Sequence, residues 1–175
     1  MESQKICAFT GHRPQNLPFR FNESDERCVK LKAALKAEII RMIEEKDVTG
    51  FISGMAIGID TYAAEIVLEL KAKYPQITLE AGIPCETQAV KWKEADRNRY
   101  FGIIGRCDKE RLLQTHYTAD CMQKRNEYMV NKANFIIAVW DGTGSGTGNT
   151  VRYAKAKGKE IVILNPNEIC GGTDR

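Results

Sequence analysis

The stretch "FIIAVWDGTGSGTGNTVRYA", residues 135–154, runs from an apolar segment through a glycine-rich loop into a helical pattern. Phe135 to Trp140 is the right length for one buried strand and short for a helix. Four glycines then fall within seven residues, at Gly142, Gly144, Gly146 and Gly148. Residues 149–157 read as a helix that Gly158 stops. Strand, tight loop and helix in succession form the repeating unit of a parallel α/β fold. The loop itself admits three readings: a phosphate cradle, a nucleoside-cleaving site, or a flexible turn.

The same alternation extends over the rest of the chain. Strand-like runs occur at "KICAFT" (5–10), "GFISG" (50–54), "ITLEAGI" (77–83), "RLLQT" (111–115), 135–140 and "EIVILN" (160–165). Between the first two, Leu31, Leu35, Ile39 and Met42 recur at helical spacing, behind a cap candidate in Ser24-Asp25-Glu26. Ile59, Ala63, Ile66, Val67 and Leu70 mark a second helical face, and residues 86–104 and 119–133 two further helices. Strands alternating with helices require crossover connections. The expected fold class is therefore α/β: a single-domain, Rossmann-like three-layer α/β/α sandwich with a mostly parallel sheet and strand one central. It is expected to span residues 1–168, with 169–175 a frayed tail.

The totals narrow the function classes. The chain has 175 residues, 43% hydrophobic and 28% charged, the balance of an ordinary globular protein. A net charge of +3 is too small to call for nucleic acid as a partner. No apolar run reaches the roughly 18 residues a membrane helix needs, and no signal peptide is read at the N-terminus. Six scattered cysteines without a CxxC pair point away from a zinc site and toward reduced thiols in a cytoplasmic protein. No metal and no obligatory cofactor is expected, and homo-oligomerisation is left open.

In doubly wound folds ligands bind beyond the carboxyl ends of the strands. Three places there combine small residues with polar donors: "TGHRP" (10–14), "SGMAIGID" (53–60) and "DGTGSGTGNT" (141–150). Free N–H groups at a helix start attract anions, and glycine lets backbone approach a ligand. The expected ligand-binding residues are Thr10, Gly11, His12, Arg13, Ser53, Gly54, Met55, Gly58, Asp60, Arg125, Asp141, Gly142, Gly146, Thr147, Gly148, Asn149 and Thr150. Neither a GxGxxG fingerprint in register nor a GKS or GKT of a P-loop is present. Arg13 is placed to grip a phosphate. His12, with no acid adjacent in sequence, reads better as a structural histidine than as a general base. Asp60 reads as a helix cap, with a ribose hydroxyl as its functional alternative. Arg125 and Asn126 read either as a solvated face or as site residues. Trp92 is either core or a wall on which a base stacks, and core is favoured.

Taken together, these loops resemble the SLOG superfamily of Rossmann-like proteins, and within it the YpsA-type family. "TGHRP", "SGMAIGID…AAE", "RNEYMV" and "VWDG…GTGNTVRYA" follow that family's pattern in order over nearly the whole chain. Ser53, Gly54, Ala56, Gly58, Ile59 and Asp60 are similar to a loop of the DNA-processing protein DprA. Met122, Arg125, Gly146 and Thr147 are similar to the MxxRK and GGxGTxxE motifs of the cytokinin-activating LOG enzymes. Those enzymes cleave an N-glycosidic bond with the last glutamate, where this chain has Thr150; Asn126 replaces the motif lysine.

The resemblance implies cytosolic binding or sensing of a nucleotide or ADP-ribose-like ligand in a regulatory role. A LOG-like nucleoside 5'-monophosphate phosphoribohydrolase is the alternative, with Arg125, Asp141 and Glu127 as catalytic candidates. DprA-like single-stranded DNA binding ranks third.

Overall fold

The computed structural model describes residues 3–171. Six parallel strands form one sheet: β1 (Lys5–Gly11), β2 (Val48–Ser53), β3 (Thr78–Ile83), β4 (Lys109–Leu112), β5 (Phe135–Val139) and β6 (Glu160–Leu164). Their order is β4-β3-β2-β1-β5-β6, so strand one is central. The chain winds outward from β1 to β4, then returns to the other side of β1 with β5. Between the carboxyl ends of β1 and β5 lies the point where strand order reverses, and there a crevice opens.

Helices cover both faces: α1 (Glu26–Lys46), α2 (Ile59–Leu70), α3 (Glu94–Ile104), α4 (Cys121–Lys132), α5 (Gly146–Ala156) and α6 (Pro166–Cys170). Residues alternate along each strand, as the pleat requires. Cys7 and Phe9 of β1, Phe51 of β2 and Ile137 and Val139 of β5 enter the larger core beneath α1 and α2. Ala8, Ile52 and Ile136 point the other way, into a smaller core with Met129, Val130 and Ala154 of α4 and α5. The three-layer α/β/α class is the observed one. Leu31, Leu35, Ile39 and Met42 of α1 are fully buried, and truncating any of them to alanine costs about 2–5 kcal/mol. Asp25 caps this helix by accepting a hydrogen bond from the Arg27 N–H at 2.8 Å.

The structure departs from the sequence reading at several boundaries. Residues 86–93 form turns rather than the first part of α3. Lys93 is extended at φ −61°, ψ 152° and breaks the helix there. Gln88 is meanwhile held to the sheet edge by donating to the Gly54 carbonyl at 3.0 Å. The fourth strand begins at Lys109 and ends at Leu112, a short exposed edge strand with little apolar pattern to mark it. Helix α5 starts three residues before Asn149, because Ser145 accepts from the Gly148 N–H at 3.1 Å and caps it. At the other end, Ile169 and Cys170 belong to α6 and Cys170 is buried. The expected fraying at 169 is therefore wrong for these two residues. Asn165 caps α6 and Pro166 fits its first turn. Residues 172–175 of that tail lie outside the described residues.

Candidate functional site

A cleft of about 310 Å³ opens at the reversal point. The end of β1 supplies Thr10, Gly11, His12 and Arg13, and the 3-10 turn Pro14–Asn16 adds Gln15 and Asn16. Ala56 and Asp60 come from the loop into α2, Arg125 and Asn126 from α4, and Ser145, Gly146 and Thr147 from the start of α5. Elements that are far apart in sequence thus meet at one edge, as the winding dictates. The amino-terminal turns of α2 and α5 both border the space, and their unpaired N–H groups favour an anion.

Arg125 dominates the electrostatics. It is 3% exposed, which overturns its reading as part of a solvated face. Its guanidinium donates from Nη1 to the Gly54 carbonyl and, at 3.5 Å, to the Gly82 carbonyl. Nε donates to Asn126 Oδ1 at 2.9 Å. Nη2 lies 3.9 Å from Met122 Sδ. None of these partners carries a charge. Asp60 acts on the guanidinium only through space, and Arg13 adds a like charge from the cleft mouth. Burial pulls the guanidinium pKa below its ordinary value, with Asp60 opposing. Burial likewise raises the Asp60 carboxyl, against the pull of Arg125 and then Arg13. A buried arginine stays protonated, and with no bonded carboxylate its charge at the cleft wall is offset only through space, by Asp60.

Asp60 does not cap its own helix. Its Oδ2 accepts from the Ala56 N–H at 3.3 Å, bracing the loop it follows. Gly58 takes the N-cap position at φ 101°, where a side chain would be strained. Ser53 also works inside this loop: its hydroxyl donates to the Asp60 carbonyl at 2.8 Å and accepts from the Met55 N–H at 3.2 Å.

His12 has an acid partner after all. Its Nε2 lies 2.8 Å from Asp141 Oδ1, a carboxylate 129 positions away. Burial raises the Asp141 carboxyl, but hydrogen bonds from the Thr143 hydroxyl and N–H and from His12 outweigh it and hold the pKa at about 2. His12 is 3% exposed, and Nε2 also lies 3.2 Å from the Asp141 backbone nitrogen. Neighbours in sequence could not reveal this pair, because β1 and β5 are brought together only by the sheet.

Several expected ligand residues turn out to face elsewhere. Met55 is fully buried in the large core. Ser53 is sealed in the loop behind the cleft. Gly58 borders a second cavity. Gly148 packs under Trp140: a Cβ there would lie 2.9 Å from the Thr143 carbonyl. Asn149 is exposed and accepts from Arg152. Thr150 turns its hydroxyl back to the Gly146 carbonyl at 3.0 Å, in the helix's own first turns. Asp141 and Gly142 lie in the adjoining turn, and neither they nor Glu127 is among the residues lining the cleft. Sequence reading missed Gln15, Asn16 and Ser145. The polar residues directly after "TGHRP" and the serine between the glycines were the available signals.

Fold and cleft define a class: a doubly wound, Rossmann-like domain with its crevice at the strand-order reversal. The YspA SLOG family model matches residues 7–167, and the chain belongs to that family. A UPF0398 protein of Brevibacillus brevis is 32% identical over 150 residues, covering 85% of this chain and 79% of the relative. Another, of Halalkalibacterium halodurans, is 28% identical over 172 residues, covering 94% and 90%. Among solved structures, DNA processing protein A (DprA) of Streptococcus pneumoniae aligns with a TM-score of 0.62 at 17% identity over 98% of this chain. DprA of Helicobacter pylori aligns with a TM-score of 0.59 at 16% identity over 93% of this chain. The chain spans 52% of the first DprA chain and 66% of the second. At these identities the likeness is one of fold. No helix among the described residues is long and apolar enough to cross a membrane.

Proposed function

We propose that the cleft binds a nucleotide or ADP-ribose-like ligand through its phosphate, and that the protein acts as a cytosolic sensor or regulator of that ligand. The observation that carries this reading is Arg125. A buried guanidinium bonded only to neutral groups gains most from an anion arriving on its open side. Two helix starts and Arg13 at the mouth add to the same attraction. Thermal unfolding in the presence of AMP, ADP-ribose, NAD and inorganic phosphate tests it. A ligand that binds the native state raises the midpoint progressively with concentration. No shift with any of them at millimolar levels sinks the proposal.

The His12–Asp141 pair favours one second reading, a phosphoribohydrolase. An imidazole oriented by a carboxylate is an acid–base catalyst when it reaches substrate. Against it, Thr150 stands where the LOG glutamate would be and spends its hydroxyl on its own helix. Chromatography of AMP incubated with the protein separates the readings: released adenine favours the hydrolase. The DprA of Helicobacter pylori binds single-stranded DNA. An oligonucleotide that shifts the midpoint steeply with salt would favour that function here.

A further inference from the structure

A second cavity, of about 490 Å³, lies against the first. Its lining includes Pro14, Ile57 and Gly58, the chain neighbours of Arg13 and Ala56 in the phosphate cleft. The two spaces therefore back onto the same two peptide segments, on either side of the start of α2. Their chemistry differs. The second cavity is bordered by three aromatic rings, Phe21, Tyr62 and Trp92.

Two of the charged residues that border it, Glu23 and Arg99, are paired, whereas Lys91, Lys93 and Asp96 of the lining form no ion pair among the described residues. Glu23 is bridged to Arg99 at 2.6 Å and to Lys32 at 2.8 Å. Arg99 also pairs with Glu65. Tyr62 has its ring face covered by Lys32, 4.6 Å from the centroid. Trp92 stands edge-on to Tyr100, with centroids 5.3 Å apart. Phe21 is the ring without such a partner among the described residues: it is 64% exposed, although Phe19, two residues before it, is buried in the core. Phe21 thus presents an open ring face at the rim of a cavity that Tyr62 and Trp92 also border.

We infer that this cavity is the base subsite of the ligand, taking an uncharged aromatic ring between Phe21 and Trp92 while the phosphate lies across the Pro14–Gly58 wall. The inference rests on the phosphate reading and adds where the nucleobase of that ligand is held. Stacking on an aromatic side chain is sequence-tolerant and strong enough to be read by alanine substitution.

Isothermal titration of AMP and ribose 5-phosphate, which differ only in the base, tests it. Wild-type protein is expected to bind AMP more tightly than ribose 5-phosphate. Phe21→Ala is expected to weaken AMP roughly five- to tenfold, to leave ribose 5-phosphate within about twofold, and to leave the melting temperature unchanged because the ring is exposed. Equal affinity of the wild type for the two ligands overturns the inference while leaving the phosphate reading intact. So does equal loss for both, or no loss, in Phe21→Ala. A third cavity near Cys85 carries Tyr117, which is 65% exposed. If Tyr117→Ala removes the advantage of AMP and Phe21→Ala does not, the base lies there and this subsite is wrong. Failure of the wild type to bind either ligand overturns this inference; the phosphate reading falls with it only if ADP-ribose, NAD and inorganic phosphate also fail to bind.

Discussion

Gly54 and Arg125 share one space: a Cβ added at position 54 would lie 2.7 Å from the guanidinium carbon. The loop after β2 thus requires glycine so that a cation from α4 can reach the Gly54 carbonyl. Gly54→Ala is expected to fold, because the obstacle is the movable end of a long side chain. The displaced guanidinium would lose its carbonyl bonds, lowering stability by about 1–3 kcal/mol. Affinity for AMP is expected to fall at least tenfold by calorimetry, on the order of one charge-assisted contact. Unaltered affinity would mean that Arg125 does not touch the ligand.

Arg125→Lys separates charge from shape. Lysine keeps the positive charge but cannot hold two carbonyls and an amide in one plane. Binding of AMP is expected to weaken about tenfold or more, with a smaller change in melting temperature than Arg125→Ala produces. Wild-type affinity in the lysine variant would show that a point charge suffices.

Two threonines one helical turn apart should behave oppositely. Thr147 lines the cleft, whereas Thr150 is bonded back to Gly146. Thr147→Val is expected to weaken AMP binding about five- to tenfold, the loss of a single hydrogen bond of about 1 kcal/mol or slightly more. Thr150→Val should stay within about twofold. Titrations of the two variants side by side decide this, and a reversed order would place the ligand deeper along α5 than proposed.

Acid stability follows from two depressed carboxylates. Hydrogen bonding to Arg99, helped by Lys32 against burial, lowers the Glu23 carboxyl to about 2, and Asp141 is likewise held at about 2. Because both values lie below those of the unfolded chain, their stabilisation is full above about pH 4.5 and disappears as pH falls toward 2. With solvent screening, each contributes roughly 1 kcal/mol. Melting temperatures measured from pH 5 down to pH 2 should fall more steeply in wild type than in Asp141→Asn. Parallel curves would show that the Asp141 carboxylate, with its bonds to Thr143 and His12, contributes nothing to acid stability.

The fold was readable because long-range order here repeats a local pattern. Apolar runs such as Phe135–Val139 and the spacing of Leu31, Leu35, Ile39 and Met42 reflect burial on defined faces, and burial leaves a periodic trace. Lys109–Leu112 left almost none, since an exposed edge strand has no face to hide. The candidate site was legible in part. Loops placed after strands identified Thr10 to Arg13, Asp60 and the start of α5. Which side chains turn inward was not legible, because Thr147 and Thr150 differ only in helical angle. The partnership of His12 with Asp141, and the burial of Arg125 behind Gly54, depend on the third dimension and leave no mark on neighbouring residues.

The distance along the chain between His12 and Asp141, 129 positions, also bears on how the protein is made. The crevice cannot exist until β5 has docked beside β1, and closing so long a loop is slow. A ligand held as proposed would therefore report completed assembly rather than any early fragment. A chain ending before Phe135 should form its α1 and α2 contacts yet remain blind to nucleotide, and a ligand supplied during refolding should slow unfolding more than it speeds folding.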